Sequence, residues 1–319
     1  MASNIKKLFQ KSLKIGSIYL ESINNIPSSK EISISKNSHL EEFKRQSSSI
    51  CIFPLNIREN YSGNYSRYIE TTLTHISELQ NIKFEYALED PTINEGVPSL
   101  SSKRKVLLLD LDETLIHADF DEQYINDKYD AIIKFKECCE EKEKNIINAD
   151  NENDSTWSGL GDDEEDNIHS VGIFVRNGVH EFLKEVNKYF DVGIFTASVK
   201  EYADAVISFL DPENKLIKYK LYRNNCINFN DSFMIKDLRI FKNVDLSKII
   251  LLDNSMYSFA TQINNGILIN SFFNDKNDTE LINALEYLIS YIVPAEDVRE
   301  VNEEFFNFGQ ILSDLQKCK

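Results

Sequence analysis

The sequence predicts an α/β protein built on a doubly wound parallel sheet, and two kinds of observation carry that prediction. Two runs, 105–110 (KVLLLD) and 249–253 (IILLD), are continuously apolar and close on an aspartate. A strand buried on both faces, as in a parallel sheet, reads this way, whereas a strand with one wet face alternates. Between and after these runs lie segments of helical spacing, so strands and helices take turns. With 319 residues, 42% of them apolar, the chain can fill a sizeable core.

The elements follow in order. Residues 1–100 are rich in Ser and Asn and hold 11 basic and 11 acidic residues, with no core pattern before Lys103. Within them 71–79 can form a helix and 47–50 reads as loop. The expectation is a polar, mostly disordered extension over 1–100 and a folded domain over 101–319. Lys6, Lys7, Lys11 and Lys14 precede the first acid, Glu21. That start is no secretory signal, and it lacks the arginines of a mitochondrial presequence, so it reads as a solvated tail. After the 105–110 strand, 131–135 and 172–175 read as two further strands. Between them 137–169 carries 12 acids and two lysines, a long acidic loop on a small β element that should repel itself and stay unfolded. Residues 179–190 have helical spacing, 192–195 form a short strand, and 199–210 form a helix stopped by Asp211-Pro212. Residues 249–252 are the second buried strand, 267–269 a last strand, and 279–292 a helix stopped by Pro294.

Composition excludes several classes. No apolar run approaches the ~18–20 residues of a membrane span, so no integral membrane segment is expected. The chain has 52 acidic against 35 basic residues, a net charge of −17, which argues against a nucleic-acid partner. Five cysteines, an odd number with no CxxC pair, make a disulfide framework or structural zinc improbable and point to a reducing compartment.

In open α/β sheets, ligands sit beyond the carboxyl ends of the strands. Both apolar strands end there in acids, as Asp110-Leu-Asp112-Glu-Thr114 and as Asp253-Asn254. The turn after the first strand can project Asp110 and Asp112 into one pocket, and oxygens from two strands around one point suit Mg²⁺. An acid at a strand end often only starts a turn. It is the full DLDETL with a distal LLDN that favours a functional set. Phosphoryl transfer needs these types. A carboxylate approaching an anionic phosphate to ~4 Å meets several kcal/mol of repulsion at a protein surface, which a divalent cation and a lysine offset. Asp110 can then attack phosphorus and form an aspartyl-phosphate. Asp112 can protonate the leaving oxygen and later deprotonate the attacking water, and this second acid favours hydrolysis over a kinase-like transfer.

Residues 110–117 (DLDETLIH) resemble motif I of the haloacid-dehalogenase superfamily. More narrowly they resemble its FCP/SCP family of protein serine phosphatases, which act on the RNA polymerase II C-terminal domain and other phosphoproteins. Further segments agree in order over about 103–292. Phe195-Thr-Ala-Ser198 with Glu201-Tyr-Ala-Asp204 resembles motif II, Leu221-Tyr-Arg223 with Cys226 the LxR…C segment, Ile235-Lys236 motif III, and Leu252-Asp253-Asn254-Ser255 motif IV. The resemblance implies a haloacid-dehalogenase-like fold with a small β insertion after motif I. It implies Asp110, Asp112 and Lys236 as catalytic residues and Thr114, Thr196 and Arg223 as substrate-binding. It implies Mg²⁺ held by the Asp110 carboxylate, the Asp112 carbonyl and Asn254. The expected activity is Mg²⁺-dependent hydrolysis of phosphoserine or phosphothreonine in protein substrates, the RNA polymerase II C-terminal domain among them, in nucleus or cytoplasm. The alternative is a non-catalytic presequence receptor of the same fold, as in mitochondrial import, with a mitochondrial address.

The sequence departs from the family in three places. Arg176-Asn177 replaces the usual Arg-Pro, the acidic loop swells the region after motif I, and Ser271-Phe-Phe273 replaces an expected Trp. Phe120 and Val199 fall at positions that help form an apolar substrate pocket in the family. His117 reads as a packed histidine. Cys226 lacks a CxxxxxR loop and reads as a buried structural thiol, and Cys138-Cys139 lies between acids that disfavour a thiolate.

Overall fold

The computed structural model describes residues 64–79, 88–100, 104–120, 128–136, 168–229, 232–241 and 245–317. Among these the sheet expected from the sequence is present. Strands β1 (Val106–Leu109), β5 (Asp191–Phe195), β6 (Tyr219–Leu221), β9 (Ile249–Asp253) and β10 (Gly266–Leu268) lie in the order β10-β9-β1-β5-β6. Every pairing in this sheet is parallel. The central strands are buried along their whole length, as their unbroken apolar runs require. Gly193 in β5 is there for closeness: a Cβ would stand 2.8 Å from that of Tyr219.

Register decides where the chemistry falls. Leu109 pairs with Ile194 on one side and Leu252 on the other. The next residues, Asp110, Phe195 and Asp253, therefore end their strands level with one another, and the Asp110 amide donates to the Leu252 carbonyl at 2.9 Å.

A small antiparallel sheet, order β2-β4-β3, follows motif I: β2 (Ile116–Asp119), β3 (Ala131–Lys136) and β4 (Ile168–Val175). This is the expected β insertion. The acidic loop lies outside the described residues except at its last two positions, where β4 begins. Helix α2 (Val179–Asn187) packs on β5, and α3 (Lys200–Leu210) packs against β3. A hairpin of β7 (Ile227–Phe229) and β8 (Phe233–Ile235) leads into Lys236. Helices α4 (Glu280–Tyr287), α5 (Val298–Phe306) and α6 (Phe308–Lys317) complete the chain.

Two segments of 1–100 fall among the described residues. Helix α1 (Asn64–Leu79) and the segment 88–100 lie in the supposedly core-free extension, yet both pack on the domain. Ile69, Leu73, Ile76 and Leu79 recur on one helical face and are buried against α6 and the turn Met256–Phe259. Ile93 is buried too, and the Asn225 side chain donates to the carbonyls of Ile93 and Glu95. The remainder of 1–100 lies outside the described residues.

Candidate active site

The loop after β1 is wound tightly. The Leu111 carbonyl accepts from the amides of Thr114, Leu115 and Ile116. Glu113 takes a left-handed backbone, φ 56°, that side chains adopt reluctantly. The turn sends Asp110 and Asp112 in different directions. Asp110 points along the sheet edge, where Lys236 Nζ donates to its Oδ1 at 2.6 Å. The same ammonium donates to Asp253 Oδ2 at 2.6 Å. Thr114 Oγ1 donates to the second oxygen of Asp110 at 3.1 Å and reaches Asn254 Oδ1 at 3.4 Å. Asp110, Asp253, Lys236 and Thr114 are all buried.

Burial pushes the Asp110 carboxyl up to about 7, with Lys236 pulling it down and Asp253 and Asp112 adding to the rise. Burial also works against the Lys236 ammonium, but Asp110 and Asp253 outweigh it and hold the lysine charged.

Asp112 faces the loop after β5. Ser198 Oγ donates to its Oδ2 and Tyr202 OH to its Oδ1, each at 2.6 Å. Burial raises its pKa, opposed by those two hydrogen bonds. Ser198 lies in the loop before α3 and Tyr202 in its first turn, and both reach the same carboxylate.

Thr196 and Arg223 do not bond the carboxylates. They belong to a neighbouring cradle at the ends of β5 and β6. Thr196 Oγ1 accepts from the Ser198 amide at 3.0 Å, and Arg223 Nε donates to the Ala197 carbonyl at 2.6 Å. Cys226 is buried beneath this loop, and burial pushes its thiol up to about 12. His117 packs between Phe174 and Phe273 and pairs with Glu113 at 3.2 Å. Phe120 and Phe135 both lean on the Tyr202 ring, beside the more exposed Val199.

Reasoning from sequence placed Asp253 at the site without a role and missed three contributors, Ser198, Tyr202 and Arg176. Asp253 shares Lys236 directly with Asp110, and a carboxylate beside Asn254 at a strand end was its visible signal. Ser198 and Tyr202 hold Asp112, and Arg176 ties together the loops around the site.

The oxygens of Asp110 and Asn254 meet at one hydroxyl, and no set of three His, Cys, Asp or Glu side chains that could hold a metal occurs among the described residues. The Asp110 carboxylate and the Asn254 amide oxygen are hard oxygen donors. Mg²⁺ accepts such donors, and a thiolate- or imidazole-seeking metal does not. No helix among the described residues is long and apolar enough to cross a membrane.

Residues 105–299 match the family model described as NLI interacting factor-like phosphatase. The chain is 42% identical over 133 residues to CTD small phosphatase-like protein 2 of Dictyostelium discoideum, covering 42% of this chain and 23% of that one. It is 34% identical over 203 residues to a probable C-terminal domain small phosphatase of the same organism, covering 64% and 55%. It is 31% identical over 228 residues to CTD nuclear envelope phosphatase 1B of Danio rerio, covering 71% and 81%. The chain thus spans about a quarter and about half of the length of the first two. The structure of Fcp1, an essential RNA polymerase II CTD phosphatase, is similar at 20% identity with a TM-score of 0.40, covering 58% of this chain and 50% of that one. These relatives carry phosphatase names, and none supports the presequence-receptor alternative or a mitochondrial address.

Proposed function

We propose, from the premise that this chain belongs to the NLI interacting factor-like phosphatase family, that it hydrolyses phosphoserine or phosphothreonine in protein substrates through an aspartyl-phosphate on Asp110. The observation that carries the reading is the division of labour between two aspartates. Asp110 is held by Lys236 and Thr114, while Asp112 is turned away and aimed by Ser198 and Tyr202.

In this reading an Asp110 oxygen attacks phosphorus as the bond to the serine or threonine oxygen breaks. Asp112 gives its proton to that leaving oxygen. Burial, which favours the neutral carboxyl, suits Asp112 to hold the proton beforehand. Asp112 then takes a proton from water, whose oxygen attacks phosphorus and frees Asp110 and phosphate. Lys236 offsets the negative charge that gathers at Asp110. Thr196 and Arg223 supply a hydroxyl and a guanidinium for the phosphate oxygens. Mg²⁺, held by the Asp110 carboxylate, the Asp112 carbonyl and Asn254, would add the positive charge that lets two anions meet. The substrate is a phosphoprotein, with RNA polymerase II C-terminal repeats the first to try, and the relatives' names favour a nuclear or cytoplasmic setting.

The test is turnover of phosphoserine, phosphothreonine and phosphotyrosine peptides, including polymerase-tail repeats. Asp110→Asn should abolish turnover, and Asp112→Asn should slow it ~10²–10⁴-fold. EDTA should stop it and Mg²⁺ restore it. Full activity in Asp110→Asn would sink the mechanism.

A further inference from the structure

The largest fully buried side chain outside the catalytic set among the described residues is Arg176, which leaves the end of β4 and is 1% exposed. Its guanidinium joins three stretches of chain. Nη1 donates to the Thr114 carbonyl at 2.9 Å. Nη2 donates to the Asn270 carbonyl at 2.7 Å. Nε and Nη2 form a two-pronged pair with Asp278, both at 2.8 Å. The planar fork of arginine is what permits this, since a lysine is a point charge and cannot hold three acceptors in fixed directions.

Two of those acceptors belong to segments that carry or hold oxygens of the site. Thr114 bonds Asp110 and Asn254 through its hydroxyl. Ser271, next to Asn270, accepts from Asn254 Nδ2 at 3.0 Å, which turns the Asn254 oxygen toward Thr114. The bonds close into a circuit: Arg176 to Thr114, Thr114 to Asn254, Asn254 to Ser271, and the Ser271 backbone back to Arg176 through the neighbouring Asn270. A charged group buried this completely is costly to keep unless its geometry has a use.

We infer that Arg176 is a positioning residue for the proposed phosphatase reaction: by tying the Thr114 and Asn270 carbonyls to Asp278 it fixes the spacing between the Asp110 and Asn254 oxygens. It touches neither substrate nor metal and acts through Thr114 and Ser271. The inference rests on the reading of the site given above.

The test uses the full chain and two variants, Arg176→Lys and the milder Asp278→Asn, which keeps both carbonyl bonds of Arg176 and weakens its charged anchor, while the amide oxygen can still accept from the Glu280 amide. Mg²⁺ binding is measured directly by calorimetry, without turnover, and kcat and KM are measured on one phosphopeptide at saturating Mg²⁺. Arg176→Lys should weaken Mg²⁺ binding ~10–100-fold, the usual cost of losing a group that orients a ligand, with kcat falling more than KM rises. Asp278→Asn should shift both the same way by a smaller factor, and it carries the test if Arg176→Lys does not fold. A folded variant that binds Mg²⁺ as tightly as the parent overturns the inference alone. A parent that binds no Mg²⁺ overturns the reading of the site and this inference with it.

Discussion

Leu73→Ala in α1 removes an isopropyl group from a side chain that is 0% exposed and sits between two other buried residues, Ile69 and Ile76, on the same helical face. The lost transfer free energy is about 2.4 kcal/mol at ~0.8 kcal/mol per buried carbon. Cavity formation adds to this, and such truncations span ~2–5 kcal/mol in all. Helix α1 is docked from one side onto α6 and the Met256–Phe259 turn, so its neighbours can close part of the gap. That places the expected loss in the lower half of the range, about 2–3 kcal/mol. For a domain of this size each kcal/mol moves the midpoint by ~2–4 °C, so Tm should fall by about 5–10 °C. The assay is a far-UV circular dichroism melt of the full chain beside an exposed control on the same helix, Thr71→Ala. The control should stay within ~0.5 kcal/mol of the parent. If Leu73→Ala melts with the control, α1 is not part of the cooperative unit, and the reassignment of 64–79 from tail to core is wrong.

Three further outcomes follow from single residues or segments. Burial pushes Glu280 up to about 8, against the pull of Arg176, so between pH ~4.5 and ~8 the folded chain keeps a proton that the unfolded chain releases. Stability should therefore fall as pH rises through that window, by a few kcal/mol at most, and Glu280→Gln should flatten the curve in denaturant titrations at pH 5, 7 and 9; an unchanged slope would remove Glu280 as its source. Cys226 is held as a thiol, so Cys226→Ala should retain turnover, and loss of activity in a folded variant would revive a thiol mechanism. Replacing 140–167, the bulk of the acidic loop, by a short Gly/Ser linker should shrink any preference in kcat/KM for Lys- and Arg-flanked phosphopeptides over acidic ones, as should added salt in the parent. An unchanged ratio in both would make the segment an inert spacer.

What could be read from the sequence, and what could not, divides by the range of the interactions involved. The strands 105–110 and 249–253 were legible because burial on both faces leaves no polar alternation, and their acidic ends were legible because a register-matched sheet sets neighbouring termini side by side. Element ends were less so. The helix over 199–210 begins at Lys200 because Val199 is still extended, φ −67° and ψ 150°. The helix over 279–292 becomes α4 followed by a wider turn, Leu288–Ile292, that bonds Val293 N to Leu288 O. Helix α1 is legible only over 71–79 because 64–70 (NYSRYIE) offers a single aliphatic residue, Ile69, and two of the helix's inward positions are the polar Thr72 and Ser77, so the helical stripe is weak in the sequence.

The supporting residues were hidden for a different reason. Arg176 reaches partners 62, 94 and 102 positions away, and no local pattern announces such bonds. Tyr202 fits a core position of α3 and is in fact fully buried; only the tertiary arrangement reveals that its hydroxyl ends on Asp112, 90 positions earlier. A short motif is readable because the chemistry demands particular side chains at a fixed spacing along one turn. The groups that aim those side chains need only arrive at the right place in space, from wherever the fold can supply them. Residue type therefore marks Asp110 and Asp112 as reactive in the sequence, while the circuit through Thr114, Asn254, Ser271 and Arg176 that sets their geometry exists only once the chain is folded.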